Sequence, residues 1–233
     1  MTMKRNAYQS AAVLFGAVVM LAVMAGCATT KQARSTETSG FLGDYSHLRP
    51  GKDERALLYY YNPKAQWAGY DKILLDPVRV YADKESDIAK IDRAQLQSLV
   101  DYFDTSVRST LAPDYTFVDK PGPGVIRLRI ALSDAKGSKM LLDTMSNVLP
   151  PAIVIGALKT AFTGTSTGVG AAGVEVELQD AVTGERLAAM VDRRVGTKTF
   201  EGKFDKWDDV KEAIDFWTER LKTRLAEKRA GRA

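Results

Sequence analysis

One cysteine and one histidine stand in a chain of 233 residues, and these two shortages exclude more chemistry than any motif supplies. Cys27 alone cannot form a disulfide within one chain, and it leaves none of the paired thiolates that structural zinc or an iron–sulfur cluster requires. With His47 as the only imidazole, the usual zinc ligand sets are out of reach, which leaves an all-oxygen calcium site as the remaining metal option. A Ser-His-Asp arrangement fails too, because Asp44 and Ser46 sit too near His47 in sequence to supply the geometry of a triad. A structural or solvent-facing histidine is expected instead. Ala11 to Ala25 supplies fifteen uncharged, mostly apolar residues, fewer than the about 20 that a spanning helix comfortably needs. A Gly-Lys-Ser/Thr phosphate loop is also missing. Gly168-Val169-Gly170-Ala171-Ala172-Gly173 matches G-x-G-x-x-G by letter, but it leads into an alternating strand pattern where a dinucleotide site needs a helix. Neither a nucleotide nor any other cofactor is expected. Nor is a nucleic-acid partner: the formal charge is only +4, and Lys4 and Arg5 at the far N-terminus supply two of those charges.

What is present begins with Lys4 and Arg5, followed by the uncharged, mostly apolar stretch Ala11 to Ala25 and then Gly26 and Cys27. A basic start, a short apolar run and small residues before a cut match the three parts of an export signal. Ala25-Gly26-Cys27 resembles the lipobox of bacterial lipoproteins, with Met24 standing in place of the usual leucine. That resemblance implies cleavage before Cys27, acylation of its thiol and, with Ala28 in place of aspartate next to it, the outer membrane. Two or three acyl chains, each adding about 0.8 kcal/mol per buried CH2, would hold the protein firmly. The competing reading is an uncleaved membrane-tethered helix with Cys27 as a bystander. Three parts are therefore expected: a signal over 1–26, a lipidated flexible tether leading into the domain over 27–50, and one domain over 51–233. Ala28 to Gly40, rich in Ala, Thr and Ser without apolar periodicity, would be the mobile part of the tether, reaching at most about 45 Å.

Next comes Gly40-Phe41-Leu42-Gly43-Asp44-Tyr45-Ser46-His47-Leu48. Together with Tyr70-Asp71-Lys72-Ile73-Leu74-Leu75-Asp76-Pro77-Val78 and Gly173-Val174-Glu175-Val176-Glu177-Leu178-Gln179-Asp180, it resembles recurring stretches of the DUF3313 family of bacterial lipoproteins. The resemblance runs over roughly residues 39 to 225 and implies no activity.

The pattern of apolar residues places the secondary structure. Leu57 to Tyr61 and Ile73 to Tyr81 read as strands, with Trp67 and Tyr70 on the loop between them. Those aromatics either stack on a sugar or cover the end of the core, and the second reading is taken. Asp92 suits an N-cap, with Gln95 completing a capping-box pattern, and Leu96, Leu99, Val100, Phe103, Val107 and Leu111 form a helical stripe that Pro113 ends. A short strand over Tyr115 to Val118 precedes a longer one over Val125 to Leu132. There Ile126, Leu128, Ile130 and Leu132 share the core face while Arg127, Arg129 and Ala131 face away. A hairpin over 174–195 turns at Gly184, with Leu187, Ala189 and Val191 alternating on its second strand. A final helix from about Lys206, capped by Asp205, carries Val210, Ile214, Trp217, Leu221 and Leu225 inward, with acidic and basic residues at its matching dipole ends. The sum is α+β: one domain with a mostly antiparallel sheet and two amphipathic helices packed on it.

Two stretches bear on function. Leu149, Ile153, Val154, Ile155 and Leu158 belong to an apolar segment opened by Pro150 and Pro151, which reads either as a buried helix or as an exposed contact with a partner or the membrane. Glu175 and Glu177 share the outward face of the hairpin, with Asp192 on the opposite strand. Paired carboxylates serve glycosidases, but alternating Glu on an exposed face, paired with Arg193 and Arg194, is the ordinary solubilising pattern. The sequence therefore supports a non-enzymatic, lipid-anchored envelope protein that faces the periplasm, with a membrane contact through Cys27 and either an envelope partner or a second copy. The alternatives are a carboxylate-dependent cell-wall glycan hydrolase and a self-assembling envelope lipoprotein.

Overall fold

The computed structural model describes residues 30–33, 36, 38–51, 55–81, 91–136, 153–154, 171–196 and 207–232. In chain order the strands are β1 (Thr30–Gln32), β2 (Arg49–Pro50), β3 (Leu58–Tyr61), β4 (Lys72–Leu75), β5 (Arg79–Tyr81), β6 (Thr116–Phe117), β7 (Val125–Lys136), β8 (Ile153–Val154), β9 (Ala171–Asp180) and β10 (Arg186–Gly196). The helices are α1 (Arg93–Leu111) and α2 (Asp208–Arg229). All ten strands join one sheet, whose main path runs β2-β3-β10-β9-β7-β4-β6. β1 extends the β3 edge of β10, and β5 extends the β4 edge of β7 and carries β8. The long central strands β7, β9 and β10 pair antiparallel, so the expected α+β architecture holds. Parallel pairings of β4 with β6 and β7, and of β5 with β7 and β8, make the sheet mixed. A strand followed by a helical crossover returns in the same direction, and α1 supplies that crossover.

One face of the sheet receives both helices. Ile126, Leu128, Ile130 and Leu132 of β7 and Val174, Val176 and Leu178 of β9 pack there against the stripe of α1 and the stripe of α2. Burial of each such side chain contributes about 1.5–3 kcal/mol, and the period-two and period-four patterns exist to collect it. Asp92 caps α1 as expected, its carboxylate accepting from Ala94 N at 3.0 Å and Gln95 N at 3.3 Å. Between the helices, the Phe103 and Trp217 rings stack at 6.4 Å and Tyr102 donates to Asp215 at 2.8 Å.

The opposite face is covered as well, contrary to the expected solvent exposure. Phe41 and Leu42 pack on Tyr81, Ala131, Ala189 and Val191 to form a second, smaller core. Glu175 and Glu177, expected outside, are 0% and 2% exposed beneath this cover. Strand alternation reports which residues share a face, and a distant segment decides whether that face meets water.

Further differences have local causes. The strand expected over Ile73 to Tyr81 divides at Asp76-Pro77-Val78, where Pro77 has no N–H to give a ladder and Arg127 clamps Asp76 at 2.9 Å. Thr30–Gln32, within the stretch expected as tether, is β1: backbone pairing with Arg194–Gly196 needs no apolar periodicity, so composition gave no sign of it. A register shift between Arg186 and Ala188 puts Leu187 in the helix-side core, apart from Ala189 and Val191. Trp207, itself buried, occupies the N-cap position of α2, and Asp205 and Lys206 lie outside the described residues. At the hairpin, Asp180 accepts from Val182 N and Thr183 N, and Gly184 takes φ +73° as the turn requires.

Candidate functional site

The hairpin carboxylates are the first candidates, and the 39–48 segment closes over them. Ser39 N donates to Glu175 Oε1 at 2.5 Å, and the Tyr45 hydroxyl donates to Oε2 at 2.6 Å. Burial pushes the Glu175 carboxyl above its ordinary range, and the Tyr45 and Ser39 hydrogen bonds pull the other way. Burial and the same carboxylate push the Tyr45 hydroxyl strongly up. Glu177 accepts from Arg129 and, at 2.6 Å, from Arg186 Nε. Arg186 then reaches back to the strap, donating to Leu42 O at 2.7 Å and Asp44 O at 2.6 Å, while Arg129 lies 4.9 Å from the Phe41 ring. Of the expected partners, Arg194 donates to Thr30 and lies over the Phe216 ring. Asp192 sits on the helix side of the sheet, where it accepts from Trp217 Nε1 at 2.8 Å. A glycosidase needs two carboxyls facing a cleft that admits sugar and water. Glu175 and Glu177 face a covered layer with every oxygen engaged, so they latch the strap to the sheet.

A different site emerges on the helix side, between α2 and the β3–β10 edge. Phe216, Arg220, Arg224 and Lys228 recur every fourth residue and form one row along α2, beside the buried row Trp217, Leu221, Leu225. Opposite the row lie Arg55, Tyr59, Tyr61, Met190 and Asp192, which border an open groove. It continues over an apolar floor of Trp67, Leu178, Ala188, Leu221 and Leu225. Cations sit on aromatic faces: Lys228 Nζ lies 4.4 Å from the Tyr61 ring centre, Arg220 5.4 Å from that of Phe216, and Arg55 5.2 Å from that of Tyr59. Burial pulls the Lys228 ammonium below its ordinary value, and nearby Arg55 adds to that, with Glu227 opposing. The two carboxylates among the described lining residues are already committed. Asp192 is buried and also accepts from Gln32 at 2.7 Å and Leu57 N at 3.3 Å, and Glu227 pairs with Arg224 at 2.8 Å. Chemically, the groove offers cationic donors and π faces.

The remaining sequence candidates fall elsewhere. Cys27, Leu149, Ile155 and Leu158 lie outside the described residues. Ile153 and Val154 form β8 on β5, which is strand where a helix was one of the two expectations. His47 is exposed beside Asp44 and Tyr60. Trp67 is buried and Tyr70 donates to Asp180 at 2.9 Å, so this loop covers the core end. Gly173 is part of β9, and Gly168 to Gly170 lie outside the described residues. Among the described residues no cluster of three metal-ligating side chains occurs, and no helix is long and apolar enough to cross a membrane. Sequence reasoning passed over the groove, although the spacing Phe216-x3-Arg220-x3-Arg224-x3-Lys228 was visible in it.

The family described as "Protein of unknown function (DUF3313)" matches residues 37–221. No curated protein matches the chain in sequence. Among solved structures, it is similar to a dodecameric PelC from Paraburkholderia phytofirmans at 14% identity and a TM-score of 0.39, covering 72% of this chain and 93% of that one. It is similar to the lipoprotein GNA1162 from Neisseria meningitidis at 11% identity and a TM-score of 0.34, covering 67% and 99%. A DUF4136 family protein from Bacteroides thetaiotaomicron is matched at 11% identity and a TM-score of 0.34, covering 72% and 95%.

Proposed function

The chain belongs to the DUF3313 family, and we propose that it is a lipid-anchored protein of the cell envelope, held at the outer membrane through Cys27, facing the periplasm and acting as a non-enzymatic interaction module. The observation that carries this reading is the place of β1. Among the described residues the sheet begins at Thr30, three positions past the lipobox cysteine, so an acyl anchor on Cys27 would attach almost directly to the folded body. Three residues extend about 10 Å, which would keep the β1 edge next to the headgroups. The latched state of Glu175 and Glu177 supports a binding role over glycan hydrolysis.

Metabolic labelling with palmitate tests the anchor. Wild-type protein takes up label and fractionates with outer membranes, and Cys27→Ala loses both; a Cys27→Ala protein that still fractionates with membranes overturns the reading. The partner, an envelope protein or a second copy, is sought by crosslinking in intact cells. Loss of crosslinks in a variant lacking residues 148–158 assigns the contact to the segment of Leu149, Ile153, Val154, Ile155 and Leu158.

A further inference from the structure

We propose that the groove between α2 and the β3–β10 edge binds the headgroup of an anionic phospholipid, so that the body docks on the same membrane that holds its anchor. Charge comes first. Among the described lining residues, Arg55, Arg220, Arg224 and Lys228 are cationic, while Asp192 faces the wall and Glu227 is neutralised by Arg224. The net excess is positive, and a phosphodiester would complete it with charge-assisted hydrogen bonds. Shape comes second: the cations border an apolar floor under Tyr61 and Met190, which suits a ligand with an anionic head and an apolar body better than a small free anion. Position comes third. Gln32 of β1 donates to Arg55 O at 2.6 Å and to Asp192 at 2.7 Å, so the strand nearest Cys27 is hydrogen-bonded to two residues that line the groove. Gln32 stands five positions after Cys27, a span of at most about 18 Å. This inference rests on the anchored reading, because the anchor is what places the groove at the headgroup layer. Basic side chains at that depth are attracted to anionic lipid.

The test uses the full-length lipidated protein in a non-ionic detergent. It is titrated separately with dihexanoyl phosphatidylglycerol, dihexanoyl phosphatidylcholine and sodium phosphate, with tryptophan fluorescence as readout, since Trp217 lines the groove. Phosphatidylglycerol is expected to half-saturate at a concentration about ten-fold lower than either other probe. The Arg224→Gln/Lys228→Gln variant is expected to lose that preference. Arg55→Gln, on an exposed residue of the loop before β3, serves if the double variant loses its helical circular dichroism. Equal response to the glycerol and choline headgroups overturns the proposal. So does equal response to inorganic phosphate, which makes this a free-anion site, and so does a preference unchanged in the variants. A response to polyglutamate without one to phosphatidylglycerol makes it an acidic-peptide site and likewise overturns it. Palmitate labelling reads the anchor independently: labelled protein without headgroup preference refutes the groove alone, and preference in unlabelled protein refutes the anchor alone.

Discussion

The Tyr45 hydroxyl donates to Glu175 Oε2 at 2.6 Å although 130 residues separate the two along the chain. This contact joins the 39–48 strap to the centre of the sheet. Around it the strap residues Phe41 and Leu42 exclude water, so the bond is made where dielectric screening is weak. Tyr45→Phe leaves a buried carboxylate oxygen short of a donor. A loss of about 1.5–3 kcal/mol is expected, read from the midpoint of urea unfolding at constant slope.

Acidity acts on the same contact with a definite sign. Burial raises the folded-state pKa of Glu175 above its ordinary 4.5, so the folded chain holds this proton more tightly than the unfolded chain does. Its contribution to stability is therefore fullest below 4.5 and declines as pH rises through the folded value. Unfolding curves of wild type and Glu175→Gln across that window should show the wild type's relative stability falling with rising pH. A relative stability that climbs instead contradicts the assignment.

Glu177 is held more strongly than Glu175, by two guanidiniums. Removing it with Glu177→Ala strands Arg129 and Arg186 in a poorly solvated layer. Breaking a buried pair in this way costs about 3–5 kcal/mol. Because Arg186 also ties down Leu42 and Asp44, protease cleavage within 39–48 should accelerate in this variant and remain slow in a surface control such as Lys72→Ala.

Helix α1 depends on its cap. With Asp92→Ala, Ala94 N and Gln95 N lose their acceptor, and stability should fall by about 1 kcal/mol in thermal unfolding. An unchanged midpoint would show that another group had taken over the cap.

In the groove, Lys228 reports on its neighbours. Burial and then Arg55 hold its ammonium below the ordinary 10.5, so Arg55→Gln should move its titration upward while leaving the contribution of burial in place. NMR observation of the Lys228 ε-methylene through alkaline pH measures this, and a downward shift would be incompatible with the geometry.

Sequence by itself determined the lipobox-like signal at Cys27, the stripes of both helices, the core face of β7 and the cap at Asp92. Each is written in consecutive or evenly spaced residues whose local chemistry or period is sufficient. Tertiary structure decided the rest, because it brings together residues that no spacing relates. Alternation placed Glu175 and Glu177 on one face, but only the return of Phe41, Leu42 and Tyr45 onto that face buried them. Likewise the row from Phe216 to Lys228 was legible along α2, and it became a groove only when Tyr59, Tyr61 and Met190 rose opposite it. β1 gave no signal of its own, since a strand held at an edge by backbone pairing to Arg194–Gly196 asks little of its side chains.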